Sequence, residues 1–259
     1  MKKSMVSTMN QKTRNDKANG WCSSGFLPGT IVINLLELNN LLEYCKVVKE
    51  FIRKEEKEFT KKLDASCKQY RLSPRDSDSF YEAHQDEFEK WHSSFPDAVL
   101  ATVIIAACAR FESGLADICK ELEFGDHATN IKWNFLEKKT GLEGSKIFLK
   151  KNLSIILSNH PMWKRINQYF EIRNCFAHGC GNIELIHEKR KASLRAAIKE
   201  LKHLGIDEDQ LFRVRISSSF VKNQIQDMIS FWKSLEEAFK DNSIVGPIHW
   251  KSEGEMRKR

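Results

Sequence analysis

No run of about 20 apolar residues, the length that crosses a bilayer, occurs in this 259-residue chain. The most apolar stretch, Val99 to Ala109, is bounded by Asp97 and Arg110, which predicts a buried core helix and not a membrane anchor. Residues 1–20 are basic and polar and lack the apolar centre of a signal peptide. The seven cysteines are an odd number without the spacing of a disulfide framework or a metal finger. They fit a reducing compartment, with Cys108 and Cys119 as small core residues. These absences together lead to the expectation of a soluble, cytoplasmic protein. A glycine-rich phosphate loop is also missing, which argues against nucleotide hydrolysis, and no internal repeat is visible.

What is present is a mild basic excess and helical periodicity. The 42 Lys and Arg outnumber 35 Asp and Glu, for a formal charge of +7, a balance that suits contact with a polyanion. Residues 1–29 read as a disordered arm and the charged segment from Asp241 to Arg259 as a flexible tail. Between them, residues 30–240 read as a single helical domain.

A first helix is expected from Ile31 through the charged stretch Arg53 to Leu63. A break follows at Ser73-Pro74. Phe80, His84, Phe88, Trp91 and Phe95 recur at steps of three and four and predict a second helix over 79–94. The third helix should run from Ala98 to about Glu123, with Asp97 as its N-cap and Gly125 ending it. Its first half is apolar nearly all round, which implies burial against several helices or a partner subunit. Short helices are expected over 130–152, around Thr140-Gly141. Pro161 opens the next helix, with Trp163, Ile166, Phe170 and Ala177 as its buried stripe. Residues 184–203 form a further helix, broken at Gly205. Leu211 to Ile216 alternates apolar and polar and predicts a short extended segment. Ser217-Ser218-Ser219 caps a last helix whose inward stripe is Val221, Ile225, Met228, Trp232, Leu235 and Phe239. The class is all-α, with at most one short extended piece.

The stretch that carries chemistry is Ile172-Arg173-Asn174-Cys175-Phe176-Ala177-His178-Gly179. Arginine stays charged and grips phosphate with a planar, two-pronged fork. Histidine exchanges protons near neutral pH. An arginine and a histidine together are the minimum for cleaving a phosphodiester without a metal. The same string also fits a plain helix C-terminus, with His178 favouring the negative end of the macrodipole and Gly179 supplying a left-handed cap. Residues five apart on a helix stand about 140° apart, whereas those four apart share a face. Asn174 and His178 therefore lie together, with Arg173 beside them. Two copies related by a two-fold axis would bring two such sets to one cleft.

This string, near the end of a helix that follows a long apolar helix, resembles the signature of the HEPN superfamily of helical ribonucleases. The resemblance covers roughly residues 31–240. It implies an all-α HEPN-like bundle, a homodimer with a composite site, and a place in host defence or a toxin–antitoxin pair with a neutralising or defence-system partner protein. It also implies roles. His178 would be the general acid or base and Arg173 the phosphate clamp. Asn174 would orient the histidine or bond the phosphate. Attack by the ribose 2′-hydroxyl would confine the substrate to RNA, with no metal and no cofactor needed.

Glu112, on the third helix, is the upstream polar residue placed nearest the site, with a solvated helix-face acid as the competing reading. His160 is expected at a cap or on the surface. Cys175, three positions from His178, is a conceivable nucleophile. Two basic clusters flank the motif helix in sequence: Lys146, Lys150 and Lys151 before it, and Lys189, Arg190, Lys191, Arg195 and Lys199 after it. As a group they suit an RNA-attracting groove, although charge runs are usually solvated faces. Trp163 and Trp232 fit core stripes better than a base-stacking platform. The alternative to an enzyme is a catalytically silent helical dimer that binds RNA or a protein as a scaffold.

Overall fold

The structure is a computed structural model and describes residues 26–124, 133, 142–208 and 212–240. The expected arm before Phe26, the expected tail, Gly125, Thr140-Gly141 and Leu211 lie outside the described residues. The fold is all-α. In chain order the helices are α1 (Phe26–Gln69), α2 (Pro74–Ala83), α3 (Gln85–Glu89), α4 (Phe95–Phe124), α5 (Leu142–Leu153), α6 (Trp163–Gly179), α7 (Glu188–Glu200) and α8 (Ser218–Lys240). Two short strands, β1 (Leu204–Asp207) and β2 (Arg213–Ile216), pair antiparallel between α7 and α8, with Leu204 opposite Ile216 and Asp207 opposite Arg213. The expected extended segment thus has a partner strand. Gly205 lies inside β1 and does not serve as a helix breaker; α7 ends earlier, at Glu200.

The chain divides into two compact units. The first takes residues up to Asn39, Ala107–Phe170 and everything from Gln224 onward; the second takes Asn40–Ala106 and Glu171–Asn223. The helices α1, α4, α6 and α8 each begin in one unit and end in the other.

In the first unit the core is aromatic. Phe111 of α4 sits 5.0 Å from Phe231, 5.4 Å from Trp232 and 6.3 Å from Phe170, ring centre to ring centre. Ile225, Met228, Trp232 and Leu235 of α8 are fully buried, as their three- and four-residue spacing predicts. Burial of each such side chain is worth about 1.5–3 kcal/mol, so these few positions fix which face of α8 turns inward. Close approach between α1 and α4 depends on Gly114, whose missing side chain leaves room for the carboxamide of Asn34. Asn34 in turn donates from Nδ2 to the Thr30 carbonyl at 2.7 Å.

The second unit is built differently. Buried Val103 and Ile104 of α4, Ile172, Cys175 and Phe176 of α6, Leu194 and Ile198 of α7 and Val214 of β2 are its core positions. Arg215 of β2 grips Asp207 through both Nε and Nη2, at 2.9 and 2.7 Å, and Asp97 through Nη1 at 2.9 Å. Asp97 is therefore not the N-cap of α4: that helix begins at Phe95, and the carboxylate is used to hold β2.

Ser73 caps α2 as expected, accepting from the Asp76 N–H, with Pro74 in the first turn. The single helix expected over 79–94 is instead α2, α3 and a five-residue π-helical stretch, Lys90–Ser94, and none of these three segments contains a buried residue. The aromatic side chains pair with each other along the chain, Phe80 with His84 at 4.5 Å, Phe88 with His92 at 5.6 Å and Trp91 with Phe95 at 5.0 Å. Aromatic periodicity here records contacts one turn apart and not a core face.

Burial of α4 is one-sided as well. Val103, Ile104, Ala107, Cys108 and Phe111 are buried, Val99, Leu100 and Ile105 are half-buried, and Ala109 is exposed. The helical stretch Gln85–Glu123 is long and apolar enough to cross a membrane by length and composition, and 44% of its most apolar window is buried.

Candidate functional site

The helix α6 delivers the motif, and the way it starts and stops decides what the motif faces. Pro161 precedes it, and the first helical N–H, that of Trp163, donates to the His160 carbonyl at 2.9 Å. Trp163, Ile166, Tyr169, Phe170, Ile172, Cys175 and Phe176 are buried. Ala177, expected in the buried stripe, is exposed, because the inward face ends at Phe176.

Past Gly179 the chain turns through two left-handed residues, Cys180 at φ 50° and Gly181 at φ 84°. The Gly181 N–H reaches back to the Cys175 carbonyl at 3.2 Å, and the Asn182 N–H to the Gly179 carbonyl at 2.8 Å. The left-handed cap expected at Gly179 is thus formed one and two positions later. Glycine is required at Gly181 for a second reason: a Cβ there would stand 2.7 Å from the ring of Phe176. The segment then joins the small sheet, with Val214 donating to the Gly181 carbonyl at 2.8 Å and Ile183 donating to that of Phe212 at 3.3 Å. The C-terminal turn of α6 is therefore tied down on one side by β2.

Within that anchored turn, Arg173 and Asn174 are half-buried and His178 is exposed. Asn174 and His178 stand one turn apart on the same face, and Arg173 is offset from His178 by about 140°. The exposed imidazole and the half-buried carboxamide share one face at the helix end, where they can present a proton carrier and a polar partner to a ligand. Cys175 cannot serve as the nucleophile considered from the sequence, since it is fully buried and burial pushes its thiol up to about 12. Glu112 is half-buried on α4 in the first unit, whereas Arg173, Asn174 and His178 belong to the second.

The basic clusters divide in the same way. Lys146, Lys150 and Lys151 lie on α5 in the first unit, where Lys146 is paired with Glu143 at 2.9 Å and Lys150 and Lys151 are exposed. In the second unit, Lys189 and Arg190 are exposed on α7. Lys191 and Arg195 are instead directed to one acid, with Lys191 Nζ donating to Glu184 at 2.8 Å and Arg195 Nη2 at 2.9 Å. The hydrogen bond from Lys191, reinforced by the charges of Lys191 and Arg195, holds the Glu184 carboxyl below its ordinary range. The sequence groups these two with Lys189, Arg190 and Lys199 as one basic cluster and gives no place to Glu184. Its place four residues before Glu188 and seven before Lys191 is the signal that would have revealed it.

Two further polar features were missed. Asp227 of α8, nearly buried, accepts from Arg165 Nη1 at 2.8 Å and from the Tyr169 hydroxyl at 2.6 Å. Both donors sit on the first half of α6, one turn apart. His160 is not a surface residue: it is 2% exposed, packs 4.7 Å from the ring of Phe231 and accepts through Nδ1 from the Met162 N–H. Burial lowers its pKa to about 4. The capping role expected of it holds, in an apolar setting.

No protein-family model matches the chain, and comparison with curated proteins and with solved structures finds no match.

Proposed function

We propose that this chain is a metal-independent endoribonuclease of the HEPN type, working as a cytoplasmic homodimer in antiviral defence or in a toxin–antitoxin pair. The observation that carries the reading is the end of α6, where an exposed His178 and a half-buried Arg173 and Asn174 occupy an anchored helical turn. In the reaction, His178 takes the proton of a ribose 2′-hydroxyl. The 2′-oxygen bonds to the adjacent phosphorus, the bond to the 5′-oxygen breaks, and that oxygen receives a proton. The products are a 2′,3′-cyclic phosphate and a 5′-hydroxyl. Arg173 neutralises the charge that grows on the non-bridging oxygens, and its fork suits two of them at once. Asn174, one turn before His178, orients the imidazole or shares the phosphate. Lys189 and Arg190, both exposed in the unit that holds His178, are the cations that supply electrostatic attraction for RNA.

The engagement of Lys191 and Arg195 by Glu184 supports the second reading, a catalytically silent helical dimer that acts as a scaffold for RNA or protein. Cations already neutralised add little to a nucleic-acid groove. Cleavage assays separate the two. Wild-type protein should cut RNA in excess EDTA and leave cyclic phosphate ends, and His178→Ala and Arg173→Ala should each abolish the cut. Products with 5′-phosphates would overturn the proposed chemistry, and a wild type that cuts no RNA would move the conclusion to the scaffold.

A further inference from the structure

Helix α1 carries two apolar faces, one of them buried and the other exposed. Ile31, Leu38, Cys45 and Ile52 recur every seven residues and are buried. On the far side lie Ile33 at 51% exposed, Leu36 at 57%, Tyr44 at 49%, Val47 at 61% and Phe51 at 55%. With Asn40 between them they follow steps of three and four. At 100° per residue they fall within an arc of about 80°, roughly 150° from the buried seam, over a length of about 27 Å. A charged residue would be ordinary at any one of these positions, and none of the six is charged. The acids beside the stripe already have partners: Glu37 pairs with Arg110 at 2.7 Å and Glu43 with Lys46 at 3.9 Å.

We infer that this stripe is a self-association surface on which a second copy of the same helix packs antiparallel about a two-fold axis near Leu42. The order of side chains is self-complementary under that operation. Ile33 comes opposite Phe51, Leu36 falls within one position of Val47, and Asn40, the single polar member, comes opposite Tyr44, whose hydroxyl can donate to the carboxamide. A two-fold contact demands that one patch match itself, and the alternation here does so without placing a charge in the seam. The area is also sufficient. Half-exposed side chains of this size present on the order of 100 Å² each. Two copies of the five apolar residues would therefore bury roughly 1,000 Å² in total, the lower bound for a specific interface. The inference stands on α1 alone and does not depend on the ribonuclease reading.

Light scattering or sedimentation of the full chain at micromolar concentration tests it. The wild type should have the mass of a dimer or of a larger even assembly. Val47→Glu combined with Leu36→Glu should at least halve that mass, with the circular dichroism and melting temperature of the reduced species otherwise preserved, because both positions are solvent-facing. In a mixture of Asn40→Cys and Tyr44→Cys chains, oxidation should join residue 40 of one to residue 44 of the other. A monomeric wild type overturns the inference, whether the stripe then meets a lipid vesicle, another protein or another part of the chain. So does a wild-type assembly whose mass the double substitution leaves unchanged. RNA cleavage is read separately, so a failed self-association test and a failed nuclease test are distinguishable.

Discussion

The two halves of α6 hold similar side chains and use them in opposite ways. In the first half, Arg165 and Tyr169 are a turn apart and both donate to Asp227, which is nearly buried on α8. In the second half, Arg173 and Asn174 are half-buried and His178 faces solvent. A charge met by a buried carboxylate is committed to holding the fold. Arg173 instead lies in the stretch that carries the candidate site. One helix thus carries a structural arginine and a candidate functional arginine eight residues apart, and nothing in the residue type tells them apart.

The largest expected effect lies in the second half. His178→Ala should lower cleavage by about 10²–10⁴-fold, the usual contribution of a proton-transfer group. Arg173→Ala should lower it by about 10²–10³-fold, typical of one lost electrostatic donor. Arg173→Lys should fail to rescue, since a point charge cannot replace the fork. Denaturant midpoints of these variants should stay near wild type. A midpoint that collapses with His178→Ala would show that this half is structural too.

The converse holds for the first half. Asp227→Ala leaves a partly buried guanidinium and a buried hydroxyl without their acceptor. The expected loss of stability is about 3 kcal/mol, at the lower end for a broken buried pair because Arg165 is partly exposed. Urea denaturation reads it, and folded protein assayed well below its midpoint should retain any cleavage. Intact stability in this variant would erase the distinction between the two arginines.

Acid sharpens the comparison further. His160 has its pKa lowered to about 4 in the folded state by burial, against an ordinary 6.5. The unfolded chain therefore binds the proton more readily, so stability from this group is fully present above about pH 6.5 and is lost as pH falls toward 4. The difference corresponds to up to about 3 kcal/mol. His160→Gln should flatten this part of the stability–pH profile, and an unchanged slope between pH 6.5 and 4 would exclude His160 as its source.

The smallest effect concerns the joint at the end of α6. Gly181→Ala adds a methyl group against the Phe176 ring at a residue with φ of 84°. A cost of about 1–3 kcal/mol is expected, together with reduced cleavage if the anchored turn positions His178. A variant as stable as wild type would mean that the turn relaxes freely.

Much of this architecture was legible in the chain. The inward stripe of α8 follows from steps of three and four, because a helix buries whatever recurs on one side of it. The break at Ser73-Pro74 follows from a capping hydroxyl beside a residue with no N–H to donate. The aromatic run over 79–94 has the same periodicity as a core stripe, yet its rings pair with one another and no residue in its helical segments is buried. Periodicity reports which side chains share a face and is silent on what that face meets.

The sequence by itself determined the helical class and the spacing of Arg173, Asn174 and His178 along one helix, since each depends on the local geometry of an α-helix. Only the tertiary structure decided that Asp97 would hold Arg215 in place of capping α4. It also decided that Glu184 would take up two of the expected RNA-binding cations, that Asp227 would claim Arg165, and that His160 would be buried. The reason is physical. A charge acquires its role from the partner brought to it across tens of residues and from the water removed around it. Neither is written in the spacing of its neighbours along the chain.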